Sequence, residues 1–280
     1  MIGWIVAGAA LAAVGAYARW IEPFWLEVTR IEVPIRGLRR AFDGYRIAFL
    51  ADIHWDPNKR ADWLRGVVAR TNALGADMIA LGGDLITFRA PHVAEGIAIL
   101  AGLRAPDGVW CVLGNHDYHG AGDDARRVRD ELVRNGMREL WNESAPIRRG
   151  DAVFWLGGVG DLWRDACDVY GTFREVPADE PRILLCHNPD GIRQRGGVRV
   201  DLVLSGHTHG GQVRLPFVGA LLTRTRAGRH MVAGMYRFGD SRVYTSRGIA
   251  HGRWQVRFLV RPELSLVILR AAEGPPQFGA

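Results

Sequence analysis

Leu202-Val203-Leu204-Ser205-Gly206-His207-Thr208-His209-Gly210-Gly211 decides how this chain is read. A short apolar run, suited to a strand buried on both faces, stops at a glycine, and two imidazoles follow on alternate residues. Gly210-Gly211 then permits the bend that follows. Working outward, the same arrangement recurs upstream. The run at 45–51 ends at Asp52-Ile53-His54, and 78–81 ends at Gly82-Gly83-Asp84. The run at 109–113 ends at Gly114-Asn115-His116-Asp117, and 182–185 ends at Cys186-His187-Asn188. Carboxylates, imidazoles and one amide oxygen at strand ends are the donors that a pair of divalent cations needs. A lone Asp-x-His or Gly-Asp is commonplace in turns. The force of the reading lies in five motifs, each closing an apolar run.

Between the first three runs, residues 61–73 and 92–103 show helical spacing of apolar positions, giving a β-α-β-α-β order. Residues 123–135 predict another helix, with Gly136 as its stop. Further strands are expected at 153–156, 182–185 and 202–204. Short ones follow at 213–215, 231–233, 243–245, 256–259 and 264–269. The second half is thus richer in β than the first. The fold class is α/β, a two-sheet β-sandwich flanked by helices rather than an open doubly wound sheet.

The N-terminus reads differently. Residues 2–18 are uncharged and would span roughly 26 Å as a helix, near the thickness of a bilayer core. Trp4, Trp20 and Trp25 suit its interfaces. Ala16-Tyr17-Ala18 also fits a signal-peptidase site, but no basic residue precedes the apolar run, so an uncleaved transmembrane helix is expected. Arg19, Arg30, Arg36, Arg39 and Arg40 all follow the span, which predicts a single-pass protein of the inner (cytoplasmic) membrane with its catalytic domain in the cytoplasm. The expected division is an anchor at 1–20, a juxtamembrane lead-in with an edge strand (28–35) at 21–44, the main domain at 45–271 and a frayed tail at 272–280.

Three cysteines without regular spacing argue against a disulfide framework and for a reducing compartment. The net charge of +6 comes from scattered arginines, with Lys59 the one lysine, so no nucleic-acid partner is expected. His92, His119, His230 and His251 read as surface or packing residues. Asp161, after Gly157-Gly158-Val159-Gly160, fits a turn or a supporting role at the site. Trp55 reads as a pocket wall.

Together the motifs resemble those of the calcineurin-like metallophosphoesterases, over residues 45–269. Gly206 to Gln212 followed by Arg214-Leu215-Pro216, with Ser246-Arg247-Gly248 and Arg261-Pro262-Glu263, resembles a membrane-anchored bacterial branch. Some members of that branch hydrolyse UDP-2,3-diacylglucosamine in lipid A synthesis. The resemblance implies two divalent metal ions (manganese, iron or zinc). Asp52, His54 and His209 would hold one ion, and Asn115, His187 and His207 the other, with Asp84 bridging. His116 would face the scissile phosphate, oriented by Asp117. It implies hydrolysis of a phosphoester or pyrophosphate bond by an activated water, with a phosphorylated amphiphile as substrate and the lipid bilayer as partner. A broad-specificity phosphodiesterase or phosphatase is the alternative, and a catalytically dead membrane scaffold is the rival of another class. The chain departs from relatives at Trp55-Asp56-Pro57 and at Trp254-Gln255-Val256-Arg257, outside the ligand positions.

Overall fold

The computed structural model describes residues 2–56, 60–87, 92–118, 124–250 and 255–272. Fourteen strands and five α-helices are found among them. The first sheet contains β1 (Glu27–Arg36), β2 (Arg46–Leu50), β3 (Met78–Gly82), β4 (Val109–Val112), β5 (Arg138–Glu139) and β14 (Glu263–Ala272), in the order β1-β14-β2-β3-β4-β5. The second contains β6 (Glu143–Arg149), β7 (Ala152–Gly158), β8 (Arg182–Leu185), β9 (Leu202–Ser205), β12 (Gly234–Phe238) and β13 (Ser241–Thr245), in the order β12-β13-β9-β8-β7-β6. Each sheet has a parallel centre: β2 to β5 in the first, β7, β8, β9 and β13 in the second.

The two-residue period of a strand explains why these runs are apolar throughout. Ile47, Phe49, Met78, Ala80, Ile183, Leu185, Leu202 and Leu204 point into the core between the sheets. Their neighbours Ala48, Leu50, Ile79 and Leu81 face the helices α2 (Ala61–Asn72), α3 (Val93–Leu100) and α4 (Asp124–Arg134). Leu184, Cys186 and Val203 face the short α5 (Val169–Phe173) and the turn at Pro189–Gln194. The two-sheet sandwich with outer helices is therefore the fold the sequence predicts.

Several expectations shift. The two-residue strand β5, the charged strand β6 and the helix α5 escape a reading by apolar runs. The strand expected at 231–233 lies three residues later as β12, because Gly228–Met231 forms a 3₁₀ turn. The one expected at 256–259 pairs only through an isolated bridge between Phe258 and Val213. Trp55 is a core residue rather than a pocket wall: it is 2% exposed and packs so closely on α3 that a Cβ at Gly96 would lie 2.5 Å from its ring. His92 is half-buried and His230 exposed, while His119, His251 and the tail 273–280 lie outside the described residues.

At the N-terminus, α1 (Ile2–Ala16) continues through a π-helical turn (Tyr17–Ile21) and a 3₁₀ turn (Glu22–Phe24). Gly3–Phe24 is by length and composition long and apolar enough to cross a membrane. The helix thus runs past the boundary expected at residue 20. Its last turns are held by the main domain. The Arg257 N–H donates to the Ala18 carbonyl (3.0 Å), and the buried Glu22 carboxylate accepts from the N–H groups of Leu259 and Val260.

Candidate metal centre

All five motifs sit at the C-terminal ends of parallel strands, on one end of the sandwich. Asp52 and His54 follow β2, Asp84 follows β3, and Asn115 follows β4. His187 follows β8, and His207 and His209 follow β9. The seven are buried. Asp52, His54, Asp84 and His209 bring one donor atom each within 4.8 Å of one another, and Asp84, His187 and His207 do the same. Asp84 belongs to both groups, as the bridging role requires.

The backbone pays a conformational cost to achieve this. Asp52, His54, Asp84, His207 and His209 all have φ between 49° and 71°. Non-glycine residues avoid this left-handed region, at of order 1–3 kcal/mol each, and such strain concentrates at functional sites. Close approach does the rest. A Cβ at Gly114 would lie 2.4 Å from the Asp84 nitrogen, and one at Gly248 would lie 2.7 Å from the Asp52 Cβ. Glycine is what lets these loops touch.

Hydrogen bonds fix the donors. The His187 Nδ1 faces the Gly82 carbonyl at 2.8 Å, leaving its Nε2 toward Asp84 Oδ2 at 3.3 Å. The His209 Nδ1 faces the Ala250 carbonyl at 3.4 Å, and its Nε2 lies 3.0 Å from the Nε2 of His54. A backbone carbonyl on one ring nitrogen leaves the other free to ligate a metal. The Asp52 carboxylate accepts the His207 N–H with both oxygens at 3.0 Å. Asn115 Oδ1 is buried with no hydrogen-bond partner among the described residues, and His207 turns its Nδ1 to within 3.3 Å of the His187 Nε2. An orphaned acceptor beside carboxylates and converging imidazole nitrogens fits divalent cations.

Charge points the same way. Burial pushes the Asp52 carboxyl up to about 7 against the pull of His187. Burial would also raise Asp84, but His187 and His54 together carry it well below the usual range. His187 is raised to about 10, Asp84 outweighing its burial. Burial lowers His207 to about 3 and takes His209 well below its ordinary value, so both are neutral, as ligands must be.

His116 is half-exposed at the mouth. Its N–H donates to Asp84 Oδ1 at 2.7 Å, and its ring meets that of His54 edge-on with centroids 4.7 Å apart. The Asp117 oxygens are taken by the N–H groups of Ile86 (3.0 Å) and Gly114 (2.8 Å). Asp117 therefore ties the β3 and β4 loops together, and any orienting effect on His116 runs through that loop. Asp161 is a turn residue that serves the site: Oδ1 accepts the Trp163 N–H at 2.9 Å, and the Trp163 ring meets His207 edge-on at 4.2 Å.

Two features were missed from sequence. One is the cavity of about 530 Å³ beside the metal ligands, lined by Trp163, Asp190, Arg193, Arg224 and Arg226. Arg224 places positive charge on His207 and His209. The strand-end rule that found the five motifs would have found Trp163, which follows β7. The other is Arg257, which is fully buried and donates to the carbonyls of Arg247 (2.8 Å), Gly248 (3.1 Å), Val260 (3.2 Å) and Ala250. It shapes the loop that packs on Asp52. Burial lowers it to about 10, partly offset by the Asp52 charge.

A sandwich of this topology with paired Asp/His clusters at its strand ends defines a metal-dependent phosphoesterase. The Calcineurin-like phosphoesterase family model matches residues 45–211, and the chain belongs to that family. It is 32% identical to the uncharacterized metallophosphoesterase YkuE of Bacillus subtilis strain 168, over 97% of this chain and 95% of the relative. It is 31% identical to the phosphodiesterase YaeI of Escherichia coli K12, over 90% and 92%. A Bos taurus transmembrane protein with metallophosphoesterase domain is 30% identical, over 88% of this chain and 57% of that protein. The family uses a dinuclear divalent metal centre, and the Asp and His groups here can hold it.

Proposed function

We propose that this chain is a membrane-anchored phosphodiesterase or pyrophosphatase acting on an amphiphilic substrate, with UDP-2,3-diacylglucosamine as the leading candidate. The observation that carries this reading is that the anchor and the metal ligands share one end of the sandwich. β14 runs antiparallel to β2, so its start lies beside the strand end that carries Asp52. Glu27, three residues beyond the helix, pairs with that start at Glu263. Glu22 and Arg257 then join the helix to the loop packed on Asp52. A lipid-borne substrate would meet the cations without leaving the bilayer surface.

Asp52, His54 and His209 would hold one ion, Asn115, His187 and His207 the other, and Asp84 both. Bound there, the pair supplies Lewis acidity at a phosphoryl oxygen and an activated water. His116, half-exposed beside Asp84, holds the proton that the leaving oxygen takes. Trp163 and Arg224 border the cavity where the non-scissile part of the substrate sits, Arg224 facing its negative charge. Asp117 and Asp161 keep these groups in place through their backbone hydrogen bonds. Arg19 in the last turns of the helix and Arg30, Arg36, Arg39 and Arg40 after it, with no basic residue before it, support a domain on the cytoplasmic side of the inner membrane.

The test is hydrolysis of UDP-2,3-diacylglucosamine by detergent-purified, manganese-loaded protein, with bis(p-nitrophenyl) phosphate as control. Release of UMP supports the candidate. Turnover of the control alone keeps the chemistry and replaces the substrate with another envelope phosphoester. A C-terminal reporter active only in the periplasm, if found active, would overturn the orientation.

A further inference from the structure

We propose that the hairpin of β10 (Arg214–Leu215) and β11 (Gly219–Ala220) is a second membrane contact, dipping its apolar tip into the lipid beside the anchor. The inference rests on the anchored reading above and adds a surface to it.

The hairpin shows its hydrophobic side chains to solvent. Phe217 is fully exposed, and Leu215, Val218, Leu221 and Leu222 are between 40% and 56% exposed. Contiguous exposed apolar patches mark interaction sites. The tip is also built at a cost. Phe217 has a φ of 64°, a conformation that suits glycine or asparagine and that a bulky residue adopts only where something is gained.

The occupant follows from position and charge. Val213 bridges to Phe258, the Arg214 N–H donates to the Phe258 carbonyl (2.9 Å), and the next residues, Leu259 and Val260, hold Glu22. One short segment thus joins the base of the hairpin to the last turn of the anchor. Leu259 is exposed as well, and its N–H bond to Glu22 sets it against the end of the N-terminal helix, where Trp20, Ile21 and the following Trp25 are also exposed. Arg224, Arg226 and Arg229 follow the hairpin in sequence and are exposed, the first two at the rim of the cavity beside the site. An apolar tip with basic shoulders matches an anionic lipid surface, with burial of about 5–10 Å into the headgroup boundary. Arg214 follows His209 by five residues, so a hairpin seated in lipid would fix the height of the cations above the bilayer.

The experiment places an environment-sensitive fluorophore on the full chain through Trp20→Cys, Phe217→Cys or Asp151→Cys. Vesicles of phosphatidylcholine and phosphatidylglycerol carry spin-labelled lipid as quencher. The parent chain, labelled alongside, gives the blank for the half-buried Cys167. Asp151 lies in the β6–β7 turn, at the end of the sandwich away from the metal ligands. Quenching at 20 and 217 but not at 151 is expected. Quenching at 20 with none at 217 overturns the hairpin contact and leaves the anchor. No quenching at either position removes the anchored reading, and this inference with it.

Discussion

The two sheets bring different chemistry to the centre. The first supplies the carboxylates Asp52 and Asp84, the amide of Asn115 and one imidazole, His54. The second supplies imidazoles alone: His187, His207 and His209. Each is braced by the other sheet's backbone, Asp52 by the His207 N–H and His187 by the Gly82 carbonyl. Both donor groups draw from both sheets. The carboxylates that attract cations therefore sit on one half, and three of the four imidazoles sit on the other. A bound cation is a cross-link between sheets, and the site exists only in the assembled register of the sandwich.

Removing the shared carboxylate should break this arrangement most. Asp84→Ala is expected to reduce hydrolysis to background and to lose both cations by elemental analysis. His207→Ala, from the imidazole half, should instead leave about one ion per chain if each sheet plays its own part. Equal metal loss in the two variants would remove the distinction. His116→Ala should lower turnover by about 10²–10⁴ while metal content stays near wild type. Lost metal would make His116 a ligand.

Chelation tests the cross-link itself. Each cation present at about a hundredfold excess over its Kd stabilises the native state by about 2.7 kcal/mol. That corresponds to a fall in Tm of about 5–11 °C for each ion removed, at about 2–4 °C per kcal/mol. An unchanged Tm would mean that the sheets hold together without the metals.

The smallest effect belongs to a cross-link made by protein alone. Glu263 on β14 accepts from Tyr244 Oη of β13 (2.9 Å) and from the Arg247 N–H (2.9 Å). Burial would raise its carboxyl, but the Arg247 charge outweighs it and holds the group below the usual range. A depressed folded pKa gives stability that is present above the unfolded value of about 4.3 and is lost as pH falls through the folded value. Glu263→Gln should therefore lower Tm at pH 7 and flatten the acid limb of Tm against pH, the two chains converging below about pH 4. A parallel shift across all pH would show that its role is packing.

Much of this was legible in the chain. Central parallel strands are buried on both faces, so β2, β3, β4, β8 and β9 read as apolar runs, and the polar residues that end them stand out. β5 and β6 carry Arg138, Glu139, Glu143, Arg148 and Arg149, which give no such signal. Trp55 misled because its neighbours are ligands, whereas its ring fills the space left by Gly96 on α3. Arg257 looked like part of a variable stretch. Its burial depends on carbonyls of residues 247, 248, 250 and 260 converging on one guanidinium, which composition does not encode.

By itself, then, the sequence determined the central apolar strands, the two-layer α/β class, the Asp, His and Asn residues able to donate to a metal and an N-terminal segment apolar enough for a membrane. These follow from local periodicity and from the donor chemistry of Asp, His and Asn. The tertiary structure decided that Asp84 stands between both donor groups, that Arg224 and Trp163 border the site, and that the N-terminal helix joins the domain at the same end as these donors. Those facts depend on which strand ends meet in space, and the register of two packed sheets sets that.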